Sequence, residues 1–407
     1  MAKAETDTQA PESYDILIAG GGVSGCAAAL AISRLTPYSV AVIERHPPSE
    51  SDLHPSFDAR VIALAQRSIQ ILRAWHFDID ALASGDIKHI HVSDRKHLAQ
   101  VSLNAEDEKV DALGKVIRLE SLGLSLYAQL QAQKIPYFTP EKIESISRTQ
   151  HAVSIVTDKR RLQAKLLVVA EGASSSTREM LGIPMLGDDY GQSAVISNVS
   201  VQLPHQDRAF ERFSKYGPIA LLPMSDDGLS ASERGKLMSL VWTTSADKAE
   251  HILALDDRQF LGELGNLFGT RLGKFTACTT RYSYPLILKR AEDFVSHRVV
   301  CVGNAAQSLH PIAGQGFNLG LRDIHDLAML LSKAHRDDDA GAYERLANYR
   351  KMRQADKREV INATDALVRG FSNHYLPLVL GRNKALALMN TLGPIKTKFA
   401  QRAMGLR

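Results

Sequence analysis

Near the start of the chain, Gly20-Gly21-Gly22-Val23-Ser24-Gly25 matches the pattern G-x-G-x-x-G. Such a run does its chemistry through the main chain. Gly20 permits a tight turn, Gly22 lets a pyrophosphate approach the backbone, and Gly25 lets the following helix sit close to a sheet. The start of that helix offers unpaired N–H groups and the positive end of its dipole to phosphates. Glu44 lies 24 residues after Gly20 and closes the next apolar run. A carboxylate placed there takes both hydroxyls of a ribose. Tyr14–Ala19 and Ser39–Glu44 read as buried parallel strands around an alanine-rich helix at Ala27–Leu35. Strand, glycine turn, helix, strand and acid therefore stand in the order of a dinucleotide cradle. Cys26 sits just inside the helix, where a helix start can lower a thiol pKa. A small residue packed against the sheet is the better reading of it.

A second run, Cys301 to Asn318 (CVGNAAQSLHPIAGQGFN), is more specific. It resembles the second FAD signature of the single-component flavin aromatic hydroxylases, commonly G-D-A-A-H-x-x-x-P-x-x-G-Q-G-x-N. The resemblance implies that the turn at Gly303 and Asn304 holds the ribityl chain. It also implies that Gly314, Gln315 and Gly316, with Asn318 just beyond, open a helix beneath the isoalloxazine ring. A reduced flavin carries negative charge near N1, which unpaired helix N–H groups stabilise. Glycine lets that backbone reach the ring without a Cβ. Asn304 departs from the usual Asp, keeping a carbonyl acceptor while losing the charge. The family's middle D-G motif appears as Glu171-Gly172 after LLVVA, one methylene longer. Asp58-Ala59-Arg60, Tyr190-Gly191-Gln192 and AFERFSKYGPIALLP resemble the ubiquinone-biosynthesis branch of these hydroxylases.

Carried over residue by residue, the cofactor-binding set is Gly20, Gly22, Gly25, Glu44, Arg45, Arg60, Gly303, Asn304, Gly314, Gln315, Gly316 and Asn318. Arg118 is a looser pyrophosphate candidate, with a plain surface arginine at a helix start equally open. The resemblance implies FAD as cofactor, NAD(P)H as electron donor and O2 as co-substrate. A flavin C4a-hydroperoxide would then hydroxylate the ring of a polyprenyl phenol. Only one G-x-G-x-x-G is present, so the nicotinamide would visit transiently. His310 and Pro311 are the candidate catalytic residues beside the flavin turn, with His310 as acceptor of the phenol proton. A hydrogen-bonded structural histidine remains the alternative. Two other functions stay open: a related flavoprotein reductase or halogenase, and an FAD-holding scaffold subunit of a biosynthetic complex. The halogenase is weakened because Trp75 and Trp242 are the only tryptophans and no W-x-W-x-I-P run exists.

The elements that must position these residues suggest an α/β fold. A Rossmann-like FAD-binding domain carries an inserted, mostly antiparallel sheet substrate domain and a C-terminal helical region. The expected FAD-binding parts are 1–75, 104–182 and 286–335; the substrate domain takes 76–103 and 183–285; the helical region is 336–407. Within them, Val61–Trp75 reads as a helix, and Lys88–Ser93 and Gln100–Leu103 as strands. Leu122, Leu126 and Leu130 mark one helical face, and Lys142–Val169 an antiparallel meander. Strand-like runs recur from Gln192 to Tyr284, with one helical stretch near Asp256–Phe268. Arg298–Val302 is a further buried strand, followed by a long helix from about Phe317.

Composition sets the outer limits. With 407 residues, 44% hydrophobic and 23% charged, wholesale disorder is excluded. A charge of +4, from 49 basic and 45 acidic residues, calls for no nucleic-acid partner. Three separated cysteines build neither a disulfide framework nor a zinc site, and the His89/His91 pair lacks ligating neighbours, so no metal is expected. No 18-residue apolar run and no N-terminal apolar segment is present, which suggests a cytoplasmic chain. After Asp365 come seven basic residues and no acidic one, leaving −3 for the rest. There Leu388, Leu392, Ile395 and Phe399 fall on one side. That tail suggests a peripheral position at the inner face of a membrane, or docking to ubiquinone-pathway enzymes. Packing of the stripe on the protein's own core is the competing expectation.

Overall fold

The computed structural model describes residues 10–47, 60–94, 100–214, 217–309, 315–371 and 393–406. Its first sheet is built around the strand Glu12–Ala19, whose Ile16, Leu17 and Ile18 are wholly buried. This strand runs parallel to Val40–Ile43 on one side and to Arg161–Val169 on the other. Val299–Cys301 continues the parallel set beyond Arg161–Val169. The continuous apolar runs follow from burial on both faces. One face packs against the helices Val23–Leu35, Leu119–Ala132 and Gln315–Leu331. The other carries a second core that includes Leu17, Leu167 and Cys301.

Register decides where the motifs emerge. Ile43, Ala19, Val169 and Cys301 lie side by side in one transverse row. The next residues along each strand are Glu44, Gly20, Ala170 and Val302. Both glycine motifs, the Glu171-Gly172 turn and the acid therefore leave the sheet at one level, where open α/β sheets bind ligands.

The second sheet has nine strands. From one edge the order is Gln307–Ser308, Tyr282–Ala291, Met185–Val201, Leu237–Ser245, Gly217–Pro223, Arg208–Ser214, His89–Asp94 and Gln100–Asn104; Phe275–Cys278 branches from Met185–Val201. It is antiparallel except where Arg208–Ser214 runs parallel to His89–Asp94. The expected α/β class with an added, mostly antiparallel sheet and C-terminal helices is what the structure has.

Two expectations are corrected. Val61–Trp75 is not one helix: Val61–Ala65 is a strand and only Gln66–Ala74 is helical. Val61–Ala65 pairs with Gly114–Arg118, which also pairs with Ser84–Ile87, giving a separate three-stranded sheet. Gly114 permits the close pairing, since a Cβ there would stand 2.4 Å from the Leu64 carbonyl oxygen. The helical stretch expected near Asp256–Phe268 is the helix Asp257–Phe268, but it is not single: a second helix, Ala246–Ala254, precedes it. Asp256 separates them by capping the second in a capping box with Gln259.

The C-terminal helices close the fold. Tyr343–Phe371 packs on Gln315–Leu331 through a buried ionic cluster. Asp323, wholly buried, accepts from Arg353 Nε at 2.8 Å, Lys357 Nζ at 2.9 Å and Gln307 Nε2 at 2.9 Å. Lys357 also donates to Gln307 Oε1. Arg322 and Arg353 reach Asp356, and Arg353 reaches Asp326. The last helix is Gly393–Ala403. Its Ala400 and the following Met404 are buried, and Phe399 packs with them beside Ile87, Leu103 and Val116. Lys396 pairs with Asp107 at 3.1 Å and Arg402 with Glu359 at 3.4 Å. The visible end of the tail stripe thus packs on the protein's own core, while Leu388, Leu392 and Lys384 lie outside the described residues. Among the described residues no helix is long and apolar enough to cross a membrane.

The Asp323 cluster gives a stability test. Burial favours the neutral acid, but Lys357 and Arg353 outweigh it and hold the Asp323 carboxyl below its ordinary range. Asp323→Asn leaves the buried Lys357 without a carboxylate and takes from Arg353 one of its three, and should cost about 3–5 kcal/mol in urea unfolding at pH 7. The depressed value means the contribution is present above about pH 4 and lost as acid protonates the carboxylate. The gap between wild type and variant should close below that pH.

Candidate active site

Only glycine fits the first turn. Gly20 has φ +99°, and a Cβ on it would stand 2.7 Å from the Glu171 nitrogen. On Gly25 a Cβ would stand 1.8 Å from the Gly20 oxygen. Gly22 is the N-cap of Val23–Leu35 and supplies no side-chain cap. The first-turn N–H groups therefore remain available to an anion. Glu44 is buried at the mouth of the turn, its carboxylate accepting from the Gly21 nitrogen and from His46 N at 2.7 Å. Arg45 follows it, exposed. Cys26 is inert: its thiol donates to the Gly21 oxygen at 3.0 Å, and burial with the nearby Glu44 charge pushes its pKa up.

The second motif docks onto the first. Gly303 has φ +58°, and a Cβ there would stand 2.8 Å from Ser24 Oγ. Gly320, on the helix Gln315–Leu331, approaches Gly303 so closely that its Cβ would stand 3.1 Å from the Gly303 Cα. Asn304 is exposed between the buried Gly303 and Ala305, so its side chain is presented outward beside the strand ends. Gln315 and Gly316 form the first turn of that helix. His310, Pro311 and Gly314 lie outside the described residues.

Several candidates have further tasks. Asn318 Oδ1 accepts from Ala65 N at 2.9 Å and Ser68 Oγ at 2.7 Å, and its Nδ2 donates to the Ala63 oxygen at 2.9 Å. The side chain thus braces the helix Gln315–Leu331 against the strand Val61–Ala65. Glu171 accepts from Ser175 Oγ at 2.7 Å, Thr177 N at 2.9 Å and Thr177 Oγ1 at 2.8 Å, anchoring the start of the helix Ser176–Met180. Arg60 places its guanidinium 5.3 Å from the Tyr284 ring centre, linking the three-stranded sheet to the large one. Arg118 is exposed, paired in register with Val61 and therefore beside Arg60 at the start of Leu119–Ala132. Tyr137 was not indicated by the sequence motifs. Its hydroxyl donates to the Gly21 oxygen at 2.9 Å, and a Cβ on Gly21 would overlap it. No local pattern in IPYF could have revealed this.

The large sheet has two unlike faces. Val195, Ile219, Leu240 and Trp242 are sealed beneath Ala246–Ala254 and Asp257–Phe268. On the opposite face, Tyr282, Ile196, Val241 and Ala220 form a transverse row, none of them fully buried. Tyr284 shares this face and lies under Arg60, so the open wall looks toward the flavin-binding part.

Glycine turns meeting at parallel strand ends, with an acid beside them, define a dinucleotide-binding oxidoreductase, and the residues fit FAD. The chain belongs to the FAD binding domain family, whose model matches residues 13–364, and it is an FAD-dependent monooxygenase. It is 35% identical over 404 residues to the ubiquinone hydroxylase UbiL of Rhodospirillum rubrum, covering 96% of this chain and 89% of the relative. It is 29% identical to the 3-demethoxyubiquinol 3-hydroxylase of Escherichia coli, covering 96% of this chain and 98% of that protein. Its fold matches p-nitrophenol 4-monooxygenase PnpA from Pseudomonas putida at a TM-score of 0.76 and 16% identity, covering 97% and 99% of the two chains.

Two substitutions check the cradle. Gly22→Val should abolish FAD retention, because its methyl groups take the pyrophosphate's place. Asn304→Asp should keep FAD, whereas Asn304→Leu should lose it by leaving ribityl hydroxyls unpaired. The visible flavin absorbance of the purified variants reads both; normal flavin in folded Gly22→Val contradicts the assignment.

Proposed function

We propose that the protein hydroxylates the aromatic ring of a polyprenyl phenol in ubiquinone biosynthesis, using NAD(P)H and O2. The observation that carries this reading is the open apolar wall of Tyr282, Ile196, Val241 and Ala220 facing the flavin-binding part. An apolar ring with an apolar tail suits such a surface; a small polar metabolite does not. The named activities of the ubiquinone hydroxylase relatives support the same substrate class. The run from Gly303 to Asp323 is most like that of 2-polyprenyl-6-methoxyphenol hydroxylases.

When bound, FAD supplies the electron transfer from NAD(P)H and the activation of O2. The chain's own residues hold and shield. The Val23–Leu35 helix start and Glu44 would seat the dinucleotide, and Asn304 would bond the ribityl chain. The first turn at Gln315 and Gly316 would offer N–H groups to the charge of a reduced ring. The apolar wall excludes water and orients the phenol.

The test is incubation with a polyprenyl phenol, NAD(P)H and 18O2. One labelled oxygen in the ring product supports the reading; NAD(P)H oxidation that never yields labelled product, with any polyprenyl phenol tried, overturns it. A bilayer-borne substrate also requires docking, and the basic tail is the element we assign to it. Lys396 and Arg402 are engaged by Asp107 and Glu359, whereas Lys398 is exposed. Flotation with phosphatidylglycerol vesicles should therefore fall with added salt and in the Lys384→Glu/Lys398→Glu variant. Binding indifferent to both rejects membrane docking.

A further inference from the structure

The transverse row on the open wall does not end at Ala220. Its next member is Glu211, paired in register with Ala220 on one side and with Val92 on the other. Val92 is in turn paired with Val101. Along the row Tyr282–Ile196–Val241–Ala220–Glu211–Val92–Val101, the only ionisable groups are the Tyr282 phenol and the Glu211 carboxyl.

Among the described residues nothing holds that carboxyl in place as a structural group. It forms no hydrogen bond or ion pair with the described residues. Glu211 is partly accessible as a residue, with its carboxyl drawn in at the border where the exposed row of the wall meets the core of Val92, Val101 and Ala209. Its neighbour Arg212 is directed to the opposite face, donating to the Leu267 oxygen at 3.2 Å and to Ser93 Oγ at 3.3 Å. Arg208 and His91 share that opposite face with Arg212 and Phe210. Burial and nearby arginines depress His91 to about 4, so it stays neutral near pH 7. Asp94 shares the Glu211 face one row away, paired with Phe213, and Gly217–Pro223 brings no ionisable group. Ala209 and Leu222 continue the face onto Val61, Ala63 and Val116 of the three-stranded sheet. Ala63 is the residue whose oxygen receives Asn318 of the helix Gln315–Leu331. The acid is thus set in an apolar wall one sheet away from the flavin turn. Burial alone pushes its pKa up to about 7, the range suited to a base working near neutrality.

Resting on the function proposed above, we propose that Glu211 is the base that takes the ring hydroxyl's proton from the phenol substrate. The phenol O–H bond breaks, its electron pair stays on the phenol oxygen, and the proton forms a carboxyl O–H on Glu211. The proton then leaves to solvent as product departs. The more electron-rich phenolate is the better nucleophile toward an electrophilic oxygen, and no oxidant beyond O2 is called for.

The test compares wild type, Glu211→Gln, Glu211→Asp and His310→Gln, with FAD content confirming folding. Wild-type kcat/KM for ring hydroxylation should rise on an acid limb with its midpoint near pH 7. Glu211→Gln should keep FAD and NAD(P)H oxidation, while losing about 100-fold or more in hydroxylated product. Its remaining activity should climb toward the phenol's own pKa, with affinity for the O-methylated phenol unchanged. Glu211→Asp should recover part of the rate. A readout independent of turnover is stability: a raised carboxyl pKa makes wild type lose stability as pH rises from about 4 to about 7, a loss Glu211→Gln escapes. An acid limb that survives in Glu211→Gln, or that disappears only in His310→Gln, overturns the assignment. If wild type itself hydroxylates no polyprenyl phenol, the function proposed above fails and this assignment fails with it. A wild type that hydroxylates beside an unaffected Glu211→Gln overturns only the assignment.

Discussion

Everything in the site depends on one constraint: parallel strand ends in register, with turns that tolerate no Cβ. Ala19, Val169 and Cys301 stand in one row, so the turns that follow them meet at one level. They meet closely. Gly20 lies against the Glu171 main chain, Gly25 against Gly20, and Gly303 against Ser24. Side chains at these positions would push the turns apart and separate the first glycine motif from the second. The two glycine motifs can stand side by side only because these backbone segments touch.

That contact is held from behind by polar braces. Asn318 ties the helix Gln315–Leu331 to Val61–Ala65, and Gln307, at the edge of the large sheet, is clamped by Asp323 and Lys357. Three cations and three acids, Arg322, Arg353 and Lys357 with Asp323, Asp326 and Asp356, balance in this interior. Buried pairs of this kind add little net stability against apolar packing but punish the loss of one partner. Their effect here is to fix the position of the C-terminal helix Tyr343–Phe371 relative to the second glycine motif. The open wall lies on the other side of Val61–Ala65, so one strand separates cofactor support from the surface assigned to substrate.

The cradle was legible because its determinants are local: glycines, an apolar strand before them and an acid at fixed spacing. Elements set by distant partners were not. Val61–Ala65 carries apolar residues that also fit a helical face, and its pairing with Gly114–Arg118 lies some fifty residues away. Asn318 was read as a cofactor ligand from its motif, yet its side chain is occupied by residues 63–68, which no local pattern announces. Tyr137 and Glu211 were invisible for the same reason. In AFERF the alternation shows that Glu211 opposes Phe210, but which face is sealed depends on helices between residues 246 and 268. Asp256-x-x-Gln259 was a capping signal that could have divided those helices from sequence.

Hydrogen–deuterium exchange of the full-length protein, with and without FAD and then with a polyprenyl phenol, tests the shared site most directly. FAD should slow exchange together at residues 20–26, 171–173, 303–306 and 315–318. The phenol should then slow it at residues 192–196 and 209–221, on the wall. Protection by FAD confined to one turn, or phenol protection appearing only beneath the sealed face at residues 246–268, would contradict a cofactor held by converging strand ends opposite an apolar substrate wall.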